Sequence, residues 1–549
     1  MEFNLATIYE SLARAIPDST ALVCGERRLT YRDLDLRANR LADSWRRRGL
    51  GEGSHIGLLL YNSAEFIEAM LAALKLRAAP INVNYRYVAE ELGYLFDNAD
   101  LDALVYQRNL ADRVRAALPR RPAMRELLWV AAGEVGEEDA AAIGEDFEAA
   151  MAAGAAEVEW GPRSGDDRYL IYTGGTTGMP RGVIWRQEDL FYAGLQGGAP
   201  GGEPYQRASE VAENVSPEGG MNMHPAPPLI HGASQFASWI SFCTGGKVAL
   251  VPGRSFDAAR TCAILEEEAI SVMQIVGDAM ALPIVEDLER QPRALPGMVC
   301  VTSAGAILSG EIRRRLERCL PDTMIMNNFG ASETGHQGTA FYETPESKPR
   351  WIMDERTTVL GPDDHPIEAG SGVVGRLARS GRLPQGYYKD PEKTARTFVT
   401  LHGTRYVLAG DLATIDAEGS IQFLGRGAMC VNTGGEKVFP EEVEEALKDH
   451  PDVADAVVVG VPDPRWGERV EALVRPREGA PLAVEALEAW CRGRVAGYKV
   501  PRRFHVLVHI ERHPSGKPDY RWAKDVAVAA ADAALSDVTT LDVTASEGA

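Results

Sequence analysis

Two spacings of apolar residues alternate along most of this chain. Across residues 30–49, Leu34, Ala38, Leu41 and Trp45 recur at helical spacing behind a Thr30/Asp33 capping-box start, and Gly49 supplies a stop. The unbroken apolar run at residues 56–60 predicts a buried strand, residues 64–76 a helix, and residues 79–83 a second strand. Strand and helix repeating in this order predict an α/β protein of layered, largely parallel sheets. A further buried strand, Tyr169-Leu170-Ile171-Tyr172, follows a connection at residues 133–167 that is rich in Ala, Gly and acids.

After Arg426 the pattern changes. Pro440, early glutamates, Val443 and Leu447 predict a helix over residues 440–448, followed by a strand at 453–461, a helix at 484–495 and a strand at 504–510. The expected organisation is a large multi-subdomain α/β domain (residues 1–426), a small α+β domain (residues 427–524) and a flexible Ala/Asp/Val/Thr-rich tail (residues 525–549).

Composition removes several classes of function. With 549 residues, 45% of them hydrophobic and 25% charged, the chain has the profile of a soluble globular protein of several subdomains. A formal net charge of -21 lacks the basic footprint of a nucleic-acid binder. Seven scattered cysteines without a C-x-x-C pair indicate reduced thiols and a cytoplasmic location rather than a disulfide framework or zinc site. No secretory leader or bilayer-spanning run is legible, so integral membrane association is not expected.

The most specific local feature is the stretch Y-T-G-G-T-T-G-M-P-R-G-V from Tyr172 to Val183. Gly174, Gly175, Gly178 and Gly182 let backbone N–H groups converge on an anion, Thr173, Thr176 and Thr177 add hydroxyl donors, and Arg181 adds charge. No Gly-Lys-Ser/Thr follows, so it is not a Walker A loop. It closely resembles the T-S-G-T-T-G-x-P-K-G phosphate signature of the adenylate-forming superfamily, which includes acyl-CoA synthetases, luciferases and peptide-synthetase adenylation domains.

Further motifs resemble that family in order. His231, within Pro227-Pro228-Leu229-Ile230-His231-Gly232, matches an element beside the acyl carboxylate, and Ser303-Ala304-Gly305-Ala306 matches a small-residue turn at the adenine and acyl pockets. Asn327-Asn328-Phe329-Gly330-Ala331-Ser332-Glu333-Thr334 resembles the aromatic-G-x-T-E motif. The resemblance implies that Phe329 stacks adenine, Ser332 meets the α-phosphate, and Glu333, with Thr176, binds Mg²⁺. Asp411 matches the ribose-binding aspartate, Arg426 the G-R arginine, Gly386-Tyr387-Tyr388 with Asp390-Pro391 a G-Y-x-x-D-P pattern, and Lys517 the C-terminal catalytic lysine. Gly434 and Gly435 lie where the family's mobile C-terminal domain lines the pantetheine tunnel. Two rival motifs fail: Gly330-Ala331-Ser332-Glu333 is followed by Thr334, which breaks the G-x-S-x-G elbow, and Gly370 to Gly375 lacks the strand and helix of a dinucleotide site.

The resemblance implies an AMP-forming acid–thiol ligase that uses ATP, Mg²⁺ and CoA in lipid metabolism. Wording around residues 227–236 and 433–444 is most similar to bacterial long-chain or steroid-side-chain ligases, so the expected substrate is a hydrophobic carboxylate, fatty or bulky alicyclic or aromatic. Loading of a carrier protein, a non-catalytic adenylate-binding role and a homodimer stay open. Gly174 and Arg181 replace the family's serine and lysine, Ala409 replaces a ribose-motif threonine, and Ala428 replaces a charged hinge residue.

Overall fold

The computed structural model describes residues 2–124, 126–130, 142–173, 179–305, 308, 310–341, 350–426, 431–438, 440–448, 450–477, 479–480, 482–511 and 520–533. Contacts divide the chain into two units that part between Ala428 and Met429.

Among the described residues the first unit holds three sheets. A nine-stranded sheet has a parallel centre, including Met223–Pro225, Val272–Ile275, Cys300–Ala304 and Met324–Ala331, with antiparallel strands at both edges. An eight-stranded sheet is parallel through His55–Leu59, Ala79–Asn82 and Arg168–Thr173, then turns antiparallel at Arg181–Arg186 and Gly386–Tyr387. The third is a six-stranded antiparallel sheet running from Thr357–Leu360 to Ile421–Arg426. The largely parallel expectation therefore holds for the first two sheets and fails for the third. There Phe398–Leu401 with Thr404–Val407, and Asp411–Ile415 with Ile421–Arg426, are hairpins closed by short turns, which only antiparallel pairing permits.

Local sequence explains the first helices. Thr30 and Asp33 form a reciprocal capping box at the start of Tyr31–Arg47, which buries Leu34, Ala38, Leu41 and Trp45. Trp45 is fully enclosed, so Trp45→Ala would cost about 3–5 kcal/mol. The buried Lys75 ammonium lies 2.8 Å from both Glu10 and Asp35 and ties together Leu5–Ala15, Tyr31–Arg47 and Ala64–Lys75. The predicted connection at 133–167 contains a short strand, Glu145–Asp146, and a helix, Phe147–Ala152, capped by Asp146.

The second unit is a five-stranded sheet around the long hairpin of Val453–Asp463 and Gly467–Pro476. Helices Pro440–Lys448 and Val484–Arg492 contribute to one core with this hairpin. The strand expected at 504–510 is Arg503–Val506, and the expected helix at 484–495 stops at Arg492. Residues 525–533, expected to begin a flexible tail, instead continue a helix, Tyr520–Ala533. Its Ala523 and Ala527 are fully buried against Val457, Val459 and Leu473. Small side chains at helical spacing made this a packing surface that a count of aromatics overlooks.

Candidate functional site

The glycine- and threonine-rich loop joins two antiparallel strands, and its two ends are register partners, Thr173 opposite Arg181. Gly174, Gly175, Thr176, Thr177 and Gly178 lie outside the described residues. Beside the loop, Gly182 faces Tyr172, where a β-carbon would lie 2.5 Å from the phenol ring. That ring spans toward Asn98, to which its hydroxyl donates at 2.9 Å, so Gly182 keeps the loop's exit strand flat against its entry strand.

A second motif packs onto this hairpin. Gly386–Tyr387 pairs with the exit strand, Tyr387 opposite Val183, which brings the G-Y-x-x-D-P turn alongside the loop. Arg181 Nε donates to Asp390 Oδ2 at 2.9 Å, while Asp390 Oδ1 caps helix Pro391–Thr397 by accepting from Lys393 N at 2.9 Å. The sequence reading made Arg181 a phosphate cation; the structure also gives it this carboxylate partner. Burial, reinforced by Arg181 and Arg396, pulls the Lys393 ammonium down, against the opposing influence of Glu333 and Asp390.

Three buried amides shape the turn that carries His231. Asn82 accepts from Tyr172 N at 2.8 Å and donates to Tyr172 O at 2.8 Å and Ile230 O at 2.6 Å. Asn62 accepts from Leu229 N at 2.8 Å, and Gln235 donates to Leu229 O at 2.8 Å. His231 is the N-cap residue of helix Gly232–Cys243, half-buried and one residue from the Asn82 contact. Asn82 thus ties the residue before His231 to the strand that enters the glycine- and threonine-rich loop. His224, without assigned chemistry in the sequence, is a core residue whose ring nitrogen faces Ala249 O at 2.8 Å.

Ser332 and Glu333 occupy the tip of the hairpin between Met324–Ala331 and Gly335–Phe341. Gly335 adopts φ +68°, and a β-carbon there would meet Ala193 O at 2.4 Å, so the turn closes only with glycine. Trp185 Nε1 donates to Ser332 O at 2.9 Å, and the Tyr387 hydroxyl donates to Glu333 Oε1 at 2.9 Å. At the hairpin's base, Asn328 donates to Thr302 Oγ1 at 2.9 Å and accepts from Thr339 Oγ1 at 2.8 Å. Phe329 lies edge-on to Trp351 at 6.0 Å and packs beside Val359, Leu377 and Ala413 of the six-stranded sheet. Gly330 is opposite His336 in the same ladder.

Asp411 and Arg426 are register partners in the six-stranded sheet, and Ala413, two residues after Asp411, shares the core patch under Phe329. Gly305, φ +83°, follows Ala304, which pairs with Asn328, the residue before Phe329. Ala306 and Lys517 lie outside the described residues, as do Gly427 and Ala428, where a hinge was expected. In the second unit, Gly434 and Gly435 form a left-handed turn between Val431–Thr433 and Glu436–Val438, with Gly434 N donating to Trp466 O at 2.9 Å.

The first unit therefore gathers Thr173, Arg181, His231, Ser332 and Glu333 around one strand pair and its neighbours. Asn82 and Trp185 were missed, and Tyr387 entered only within the G-Y-x-x-D-P pattern, without a role. A single Asn in an apolar strand was the available signal for Asn82; the other two act through partners about 150 and 50 positions away, which no local pattern reports. Among the described residues, no three His, Cys, Asp or Glu side chains converge as a metal cage. A lone half-buried carboxylate fits Mg²⁺, which takes one or two carboxylates and completes its shell with phosphate oxygens and water.

Among the described residues six cysteines are free, and burial pushes the Cys24, Cys243, Cys262 and Cys491 thiols up to about 12. No helix among the described residues is long and apolar enough to cross a membrane.

Residues 9–388 match the AMP-binding enzyme family and residues 442–517 match the AMP-binding enzyme C-terminal domain. The chain is 42% identical over 537 residues to a medium/long-chain-fatty-acid–CoA/3-oxocholest-4-en-26-oate–CoA ligase of Mycolicibacterium smegmatis, covering 96% of this chain and 97% of the relative. It is 43% identical over 541 residues to a 3-oxocholest-4-en-26-oate–CoA ligase of Rhodococcus rhodochrous, covering 96% of each. Among solved structures, an amide bond synthetase of Marinactinospora thermotolerans superposes with a TM-score of 0.76 at 22% identity, covering 94% of this chain and 99% of that one, and so shares the fold. With both domain models matched and near-full-length relatives above 40% identity, the chain belongs to the AMP-binding enzyme family, among its adenylate-forming acyl-CoA ligases.

Proposed function

We propose that this ligase activates hydrophobic acids, medium- or long-chain fatty acids and bulky steroid side-chain acids, and transfers them to CoA in the cytoplasm. The observation that carries the substrate class is the near-full-length similarity to relatives named for those acids. The carboxylate oxygen attacks the α-phosphate of ATP, the bond to pyrophosphate breaks, and the CoA thiolate then attacks the acyl carbon as AMP leaves.

Each step assigns work to residues of this chain. Thr173, Gly174, Gly175, Thr176, Thr177, Gly178 and Arg181 receive the pyrophosphate end of ATP through backbone N–H groups, hydroxyls and one guanidinium. His231, next to the residue that Asn82 ties, orients the acid's carboxylate. Ser332 donates to the α-phosphate, and Glu333, with Thr176, holds Mg²⁺, which when bound neutralises the phosphate oxygens. Gly305, Ala306, Asn328, Phe329 and Gly330 form the adenine surface. Asp411 accepts from the ribose hydroxyls, and Arg426 sits beside it on the paired strand. Lys517 places a cation between carboxylate and α-phosphate during adenylation. Gly434 and Gly435 line the thiol's approach in the second half-reaction.

The test is pyrophosphate release across fatty, steroid and aromatic acids, with CoA or a carrier protein as acceptor, and mass detection of the thioester. Thioesters formed on CoA from fatty and steroid acids are expected. AMP esters without any CoA product, or thioester on carrier protein alone, would overturn the reading.

A further inference from the structure

We propose that Tyr387 is a positioning residue for the nucleotide's metal: its hydroxyl sets the orientation of the Glu333 carboxylate. The inference rests on the reading of Glu333 as the Mg²⁺ carboxylate and adds a residue to which no role attaches otherwise.

The geometry is specific. Glu333 stands at a hairpin tip, where a carboxylate on three rotatable bonds would sweep several rotamers. The Tyr387 hydroxyl donates to its Oε1 at 2.9 Å. Tyr387 itself cannot move far. It is buried, its backbone is laddered to Val183, its N–H donates to Thr394 Oγ1 at 2.9 Å, and its ring lies edge-on to Phe398 at 5.7 Å. From the exit strand, Trp185 Nε1 donates to Ser332 O at 2.9 Å. The tip is therefore pinned from the loop's exit strand and from the strand paired with it.

The type of donor matters as much as its place. A lysine or arginine at this distance would neutralise the carboxylate and compete with a divalent cation. A phenol hydroxyl orients one oxygen and leaves the negative charge in place, which is what an outer partner of a metal ligand must do. The same turn fixes Arg181 through Asp390. One structural element thus sets both the metal carboxylate and the guanidinium that flanks the phosphate loop.

Tyr387→Phe keeps the ring and its packing while deleting the donor. Binding of Mn²⁺ in the presence of ATP, followed by electron paramagnetic resonance on the full chain, reads the metal site without turnover. Tyr387→Phe is expected to weaken Mn²⁺·ATP binding about tenfold, the lower end of the effect of losing an outer-shell partner, and to leave metal-free ATP binding within about twofold. The KM for Mg·ATP should rise by about the same factor, with the KM values for acid and CoA unmoved.

Glu333→Gln serves as the reference, and Tyr387→Phe should add nothing on top of it. If Glu333→Gln weakens Mn²⁺·ATP binding and Tyr387→Phe does not, the positioning role is wrong and the metal assignment stands. Equal losses of metal-free and metal-loaded ATP binding in Tyr387→Phe would make the contact a packing feature and overturn the proposal. If Glu333→Gln leaves metal binding intact, the metal assignment fails and the inference fails with it.

Discussion

Arg181 Nε lies 2.9 Å from Asp390 Oδ2, joining the exit of the glycine- and threonine-rich loop to the cap of a helix more than two hundred residues later in the chain. One carboxylate serves both tasks, with Oδ2 on the guanidinium and Oδ1 on Lys393 N. The pair is largely shielded, the side chains being 14% and 27% exposed, so it exceeds the usual surface ion pair in rigidity more than in energy.

Asp390→Asn retains a capping oxygen but loses the charge that holds Arg181. The expected result is a rise of a few-fold in the KM for ATP with little change for CoA, and a loss of stability of about 1 kcal/mol in denaturant titration. An unchanged KM for ATP would mean that the guanidinium's position does not depend on Asp390.

Asn82 makes three hydrogen bonds between the loop's entry strand and the His231 turn, at 2.8, 2.8 and 2.6 Å, while 5% exposed. Asn82→Ala leaves the Tyr172 N–H and two carbonyls without this partner. It should destabilise the unit by about 2–4 kcal/mol and raise the KM for the acid, as His231 loses its anchor. Asn82→Asp should be no better, because a carboxylate cannot donate to two carbonyls. Urea unfolding and acid-substrate kinetics check both points. Wild-type stability in Asn82→Ala would show that water replaces the amide at no cost.

Stability should fall in mild acid because buried histidines resist protonation. Full burial drives His224 from the ordinary 6.5 down to about 4, against a backbone hydrogen bond to Ala249, and burial also lowers His55 and His336. The unfolded chain then binds more protons than the folded one between those two values, so the unfolding free energy declines as pH drops through that window. His224 alone accounts for up to about 3 kcal/mol of that decline, from 6.5 to about 4. His224→Asn keeps a donor toward Ala249 O and should flatten the melting temperature between pH 6.5 and 4 relative to wild type. An equal slope in both proteins would remove His224 from the explanation.

Lys517→Ala should slow adenylation by about 10²-fold or more, the cost of losing one preorganised charge at a reacting pair of anions. Thioester formation from a supplied acyl-adenylate should continue. Equal loss of the two half-reactions, measured separately by pyrophosphate release and thioester yield, would refute that role.

The amino-acid sequence by itself determined the family, the order of the motifs and several helices and strands of the first and second units, because these are written in local spacing. The Thr30 cap, the apolar runs at His55–Leu59 and Ala79–Asn82, and the glycine- and threonine-rich loop each signal within a few residues. Sequence pattern did not reveal that helix Tyr520–Ala533 packs on the second unit's sheet, because alanines read as a tail until a partner surface is known. It also could not show that Tyr387 reaches Glu333, that Asp390 holds Arg181, or that Asn82 ties the turn before His231 to the entry strand of the glycine- and threonine-rich loop. Those contacts depend on sheet order and register, which bring together residues from distant parts of the chain. Only the tertiary structure sets that order, since strand pairing is decided by the packing of whole layers and not by any one segment.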